Sequence, residues 1–173
     1  MAFLGTIPQP VRAILSEHAR TWDVDKVYVG CSGNFTVERT LQRLDRFELH
    51  GNDVTLYSCA IGSLASGELL PVRVKPAYAD EWGWLNSYLE TPEAVAATMI
   101  VASGPMLQGL GRNNPYFERL RKVYVEKWAE LHATALEKVE RLRVPLKSFH
   151  IGDAVDWAGE VVPEEAALVS FPP

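Results

Sequence analysis

The strongest constraint on this chain is an alternation, repeated early on, of short apolar runs with segments of helical period. Lys26-Val-Tyr-Val-Gly30 is an apolar run of strand length ending in small residues, as suits a buried parallel strand. Cys31 to Asn34 reads as a tight turn. Thr36 to Leu44 follows as a helix with Val37, Leu41 and Leu44 on one side. Phe47 to Gly51 is the next strand, Asn52-Asp53 ends it, and Val54 to Leu64 is another helix closed by Gly67. Strands joined through helices at such short spacing require right-handed crossovers and a parallel sheet. Upstream, Pro10 sits where a helix begins, and Val11, Ile14, Leu15, His18 and Trp22 recur at helical spacing.

The alternation stops from about Leu69 to Lys147. Trp82, Trp84, Leu85, Tyr88 and Leu89 predict a short aromatic-rich helix, and Pro92 to Val101 another, ended by Gly104-Pro105. After a turn-rich stretch from Gln108, Asn114 reads as an N-cap with Pro115 at the first helical position. One long helix is predicted from there to about Arg143. The strand pattern resumes after Pro145. Lys147 to Ile151 is a strand ending at Gly152-Asp153, and Asp156-Trp157-Ala158 begins a crossover of a single helical turn. Ala166 to Phe171 reads as a buried strand, followed by Pro172-Pro173. The predicted organisation is an α/β core from 1–68 and 145–173 with a helical insertion at 69–144.

Composition narrows the function classes. With 47% hydrophobic and 23% charged residues the 173-residue chain is that of an ordinary globular protein. Its net charge of -5 advertises no general affinity for nucleic acid, so any basic surface is local. The N-terminus lacks a basic n-region and a long apolar core, and Ala94 to Leu107 is too short for a bilayer. Both features predict a cytoplasmic protein with no membrane partner. Cys31 and Cys59 cannot build a disulfide framework and read as free thiols. The four histidines share no metal-ligand spacing, so no metal site is expected.

In an open parallel sheet, ligands collect at the carboxyl ends of the strands. Four such ends carry small or acidic residues here: Gly30 to Asn34, Asn52-Asp53, Gly152-Asp153, and Ser170 onward. Gly30 and Gly33 let backbone approach a ligand closely. Asp53 follows Gly33 by the offset expected of a carboxylate that accepts from ribose hydroxyls, which points to a nucleoside-containing cofactor. NAD is disfavoured: the turn lacks a third glycine, and no basic group marks a pyrophosphate. S-adenosyl-L-methionine (SAM) has no phosphate. It needs only the close turn, the ribose carboxylate and a second carboxylate for adenine.

The order Val29-Gly-Cys-Ser-Gly33, Asn52-Asp53, a long insertion, Ile151-Gly-Asp153, an apolar strand and Pro172-Pro173 resembles the DNA adenine-N6 methyltransferases. More closely it is similar to phage-encoded antirestriction adenine methyltransferases, over about residues 24 to 173. The resemblance implies a Rossmann-like methyltransferase half-sheet of parallel strands in the order 3-2-1-4, with SAM as cofactor. It also implies DNA as the partner of the helical insertion, and a role in protecting phage DNA from host restriction within the host cytoplasm. By the same resemblance Gly30, Cys31, Ser32 and Gly33 would line the methionine side of SAM, Asp53 would hold the ribose and Asp153 the adenine amino group. Ser170, Phe171, Pro172 and Pro173 would form the catalytic motif, where a flipped adenine meets the methyl donor.

The chain departs from the family pattern in three places. Val29 and Cys31 occupy the aromatic and first-glycine positions of the aromatic-x-Gly-x-Gly turn. Phe171 stands directly before the prolines, with Ser170 one place earlier, where the family has Asp, Asn or Ser. The aromatic that follows the prolines is absent. The corresponding expectation is an N-terminal fragment stopping inside the catalytic motif, or a chain whose strand 166–171 is covered by a partner, since an apolar edge invites aggregation.

Plainer readings stand beside these roles. Asp53 also reads as a helix N-cap, and one of Asp153 and Asp156 as a turn or cap residue. Cys31 and Cys59 read as buried small apolar residues. Trp82, Trp84 and Tyr88 either stack on an extruded base or pack within the insertion. Arg112, Arg119, Arg121 and Lys122 either meet phosphates or form a solvated face with Glu118 and Glu126. A non-catalytic SAM- or DNA-binding subunit and a different nucleotide-binding enzyme are the alternative functions.

Overall fold

The computed structural model describes residues 7–103, 114–141 and 144–170. Phe171, Pro172 and Pro173 of the expected catalytic motif, and Arg112, lie outside the described residues. The chain divides into two compact units, one formed by 2–66 with 144–173 and the other by 67–143.

The first unit is α/β. Its strands β1 (Lys26–Gly30), β2 (Glu48–Asp53), β3 (Ser148–Ile151) and β4 (Ala167–Ser170) form one parallel sheet in the order β3-β2-β1-β4. Helix α1 (Gln9–Ala19) precedes β1, α2 (Thr36–Gln42) links β1 to β2, and α3 (Leu56–Ala65) follows β2. The pleat sorts the side chains. Val27, Val29, Leu49 and Phe149 are buried on the face that meets α3, where Gly62 lies so close to Phe149 that a Cβ would fall 2.3 Å from its ring. Tyr28 and His50 alternate onto the opposite face and stack with ring centroids 4.3 Å apart. Burying each large apolar side chain here stabilises the fold by roughly 1.5–3 kcal/mol.

Three elements of this unit differ from the sequence expectation. β2 runs through Asp53 instead of ending before Asn52, because Asn52 and Asp53 continue the pairing with His150 and Ile151 of β3. The crossover after β3 is an eight-residue helix, α8 (Ala154–Val161), not a single turn. Asp153 caps it, and Trp157 is buried against the rings of Tyr28 and His150. β4 was expected to be buried, but it pairs only with β1 among the described residues, and Leu168 is 48% exposed.

The second unit is helical. A short helix α4 (Ala79–Trp82) is flanked by 3-10 turns at Pro76–Tyr78 and Gly83–Tyr88. Helices α5 (Pro92–Ala102), α6 (Pro115–Glu126) and α7 (Trp128–Arg141) follow. The single long helix expected from Pro115 is broken at Lys127, whose φ of -100° and ψ of 12° leave the helical region. The two halves have different surroundings. α7 buries Trp128, His132, Ala135 and Val139 along one stripe and packs on α5, whereas α6 buries nothing. Tyr88 packs on Trp84, Trp128 and His132, which gives it the packing role among the two readings open to it. Among the described residues, no helix is long and apolar enough to cross a membrane.

Candidate functional site

Parallel strands bring all four carboxyl ends to one edge of the sheet, and the loop after β1 dominates that edge. Cys31, Gly33 and Phe35 adopt φ of 57°, 54° and 56°. Three left-handed residues within five fold the chain into a tight loop, at a steric cost for Cys31 and Phe35. Backbone bonds hold it: Ser32 N–H donates to Asn52 O at 2.9 Å and Phe35 N–H to Ser32 O at 2.8 Å. The Arg39 guanidinium donates to Asn34 O at 2.7 Å and to Phe35 O at 3.2 Å, so the nearest cation in sequence is spent on the loop's own carbonyls.

Asp53 ties this loop to the end of β2. Its Oδ2 accepts from Gly33 N–H at 2.8 Å, and its Oδ1 accepts from Val54 and Thr55 N–H at 2.8 Å each. The carboxylate is buried, and three backbone amides satisfy much of its charge. An ionised carboxylate offers about four acceptor positions, so one remains, on Oδ2. The N-cap of α3 is Thr55, not Asp53: its hydroxyl accepts from Ser58 N–H.

The β2 and β3 ends are clamped together. Asn52 Nδ2 donates to Gly152 O at 2.9 Å and to His150 O at 3.3 Å, while Gly152 N–H donates to Asp53 O at 3.2 Å. Asp153, the next residue, is exposed, and its Oδ1 accepts from Val155 and Asp156 N–H at 2.8 and 3.3 Å. Of the two aspartates weighed as caps, Asp153 is the one that caps. On the other side of β1, Ser170 Oγ donates to Gly30 O at 3.2 Å, and a Cβ on Gly30 would sit 3.2 Å from that oxygen and 3.7 Å from Ala154. Gly30, Cys31, Ser32, Gly33, Asp53, Asp153 and Ser170 thus share one edge.

A family model described as Phage DNA Adenine Methylase-like domain 1 matches residues 3–173. The chain belongs to this phage DNA adenine methylase-like family. No curated protein and no solved structure gives a significant match.

Two buried polar residues of the methylase-like domain stand out: Asn52, which the sequence reading named only as part of the Asn52-Asp53 strand end, and Glu38, which it did not single out. Asn52 Oδ1 is fully buried with no hydrogen-bond partner. Glu38, on α2, is fully buried too, and neither of its carboxyl oxygens has a hydrogen bond of full geometry. Burial pushes the Glu38 carboxyl up to about 7. The nearby Ser32 hydroxyl and Arg39 draw it down in part and the Asp53 charge pushes it up. Ser32 Oγ itself donates to Val29 O at 3.5 Å and accepts from Asn52 N–H at 3.3 Å. The available signal for Glu38 was its place between Val37 and Leu41, where the apolar stripe runs over a charged residue. Cys59 is buried, as its plain reading expected, and burial with the Asp53 charge pushes its thiol up to about 11, which favours the protonated thiol. Cys31 is only half-buried.

Proposed function

We propose that this methylase-like domain binds SAM at the carboxyl edge of its sheet and serves methyl transfer to adenine N6 in DNA. The observation that carries the reading is the Gly33–Asp53 hydrogen bond, which joins the glycine loop and the motif acid in one edge site. The donors and acceptors present fit SAM. Asp53 Oδ2 keeps one acceptor position for a ribose hydroxyl, and Asn52 Oδ1 lacks the donor that a buried amide oxygen requires. Arg39 is engaged on the loop's carbonyls, so a pyrophosphate would find no counter-ion there. Gly30, Cys31, Ser32 and Gly33 would line the methionine portion, and Asp153 would accept from the adenine amino group. Ser170, with Phe171, Pro172 and Pro173, would border the point of transfer. SAM, when bound, supplies an electrophilic methyl group, and the chain's own task is to orient it and exclude water. The unit 67–143 is the proposed place for the DNA partner; its groove of about 490 Å³ is lined by Trp82, Trp84, Arg121 and Lys122 together with Glu81, Glu118 and Glu126, so a base stacked on the tryptophans is favoured there over phosphate contacts. In a phage such an activity would shield DNA from host restriction.

Incubating the full chain with methyl-labelled SAM and unmethylated DNA, then analysing the nucleosides by mass spectrometry, tests the reading. N6-methyladenine is the expected product. The Phe171 insertion between Ser170 and the prolines favours a second reading, a non-catalytic SAM-binding subunit. SAM binding without any methyladenine would select that second reading.

A further inference from the structure

Glu38 stands apart from every other carboxylate among the described residues: it is fully buried, neither oxygen has a hydrogen bond of full geometry, and the side-chain hydroxyl that acts on it is Ser32 of the Gly30–Asn34 loop. Its position on α2 is fixed by the fold, since α2 leaves the Gly30–Asn34 loop directly and packs on β2 and α1. Leu41 and Val37 of the same helix are buried as well. The groups whose charges reach it are Asp53 at the end of β2 and Arg39 on its own helix. Arg12, Glu17 and His18 are the titratable groups of α1, and none pairs with Glu38 among the described residues. Arg39 is committed to Asn34 O and Phe35 O, and the Asp53 charge is shared among three amides. A carboxyl whose desolvation outweighs the donors around it is a costly arrangement for folding alone. It gains a use if a positive charge arrives at the loop.

We propose that Glu38 is a buried counter-charge that lets the Gly30–Asn34 loop prefer a cationic nucleoside ligand over its neutral counterpart, releasing a proton as the cation binds. This rests on the SAM reading above. SAM carries a sulfonium and the demethylated product a neutral thioether, while ribose, adenine and the amino-acid end are the same in both. Only the sulfonium distinguishes them, so a charge on Glu38 that acts through the low-dielectric loop discriminates donor from product. The proton balance is simple: the neutral carboxyl becomes a carboxylate, and its proton passes to the buffer. Tight holding of SAM and ready loss of the product follow from the same side chain.

Calorimetric titration of the full chain with SAM and with the thioether, each in phosphate and in Tris at pH 7, counts the protons released. Wild type is expected to release about half a proton with SAM and clearly less with the thioether, because a group with its midpoint near the working pH is about half protonated. Glu38→Gln, which keeps the shape of the neutral carboxyl, is expected to abolish the release and to reduce the SAM-over-thioether preference about tenfold, the effect of one pKa unit. SAM binding by wild type with no buffer-dependent heat overturns the role of Glu38 and leaves the SAM reading intact, as does an unchanged release in Glu38→Gln. If wild type binds neither compound, the SAM reading falls and this inference with it. The wild-type proton count decides the matter even if the variant fails to fold.

Discussion

Asp53 and Glu38 show how one edge of a sheet assigns opposite fates to two buried carboxyls. Asp53 receives three backbone N–H bonds and so holds the loop to β2. Glu38 has no hydrogen bond of full geometry, and the Ser32 hydroxyl and its own backbone N–H offset its burial only in part. Its raised folded value makes a pH-dependent contribution to stability that can be signed. Between the ordinary value of 4.5 and about 7 the unfolded chain has lost this proton while the folded chain keeps it. Stability therefore falls as pH rises through that window and levels off above it. The total penalty is on the order of 3 kcal/mol by the conversion of about 1.4 kcal/mol per unit. Glu38→Gln without ligand is expected to melt higher than wild type at pH 8 and to match it near pH 4. Thermal melts across that range check this, and a variant no more stable than wild type at pH 8 contradicts it. The spacing of Gly33 and Asp53 was legible in the sequence because it joins two strand ends. The burial of Glu38 was not, because helical period alone does not say how deep a polar residue at the border of an apolar stripe will sit.

At the scale of elements, the helix-to-sheet contacts set the tolerances of the site. Gly62 lets α3 lie directly on Phe149 of β3, with no room for a methyl group. Gly62→Ala is expected to cost about 1–3 kcal/mol by overpacking. Because the clash is with Phe149 itself, Gly62→Ala/Phe149→Ala should cost less than the sum of the two single changes. Denaturant unfolding of the three variants measures the coupling, and strict additivity would show that α3 does not rest on that ring. Asp153 permits a cleaner separation of roles. Asp153→Ala removes the cap of α8 and should cost about 1 kcal/mol, whereas Asn is as good a cap as Asp. Asp153→Asn is thus expected to keep the melting temperature while weakening SAM binding. Equal SAM affinity in wild type and Asp153→Asn would confine Asp153 to capping. The strands and helices of the α/β unit were readable because period and turn residues agree there. The break at Lys127 was not, since apolar spacing continues across it and only the burial of α7 beside an exposed α6 reveals two helices. The length of α8 escaped for a similar reason: Trp157 anchors it through contacts with Tyr28 and His150 that lie on other strands.

At the scale of the molecule, an α/β unit carries the candidate edge, and a separate helical unit, 67–143, interrupts it in sequence. The order β3-β2-β1-β4 puts the glycine loop beside Asp53 on one flank and Ser170 on the other. Membership of the phage DNA adenine methylase-like family agrees with that layout. Calorimetric titration of the unmodified chain with SAM and, separately, with NAD tests the central claim most directly. Saturable binding of SAM, lost in Asp53→Ala, with no binding of NAD is the predicted result; binding of NAD with none of SAM would contradict it.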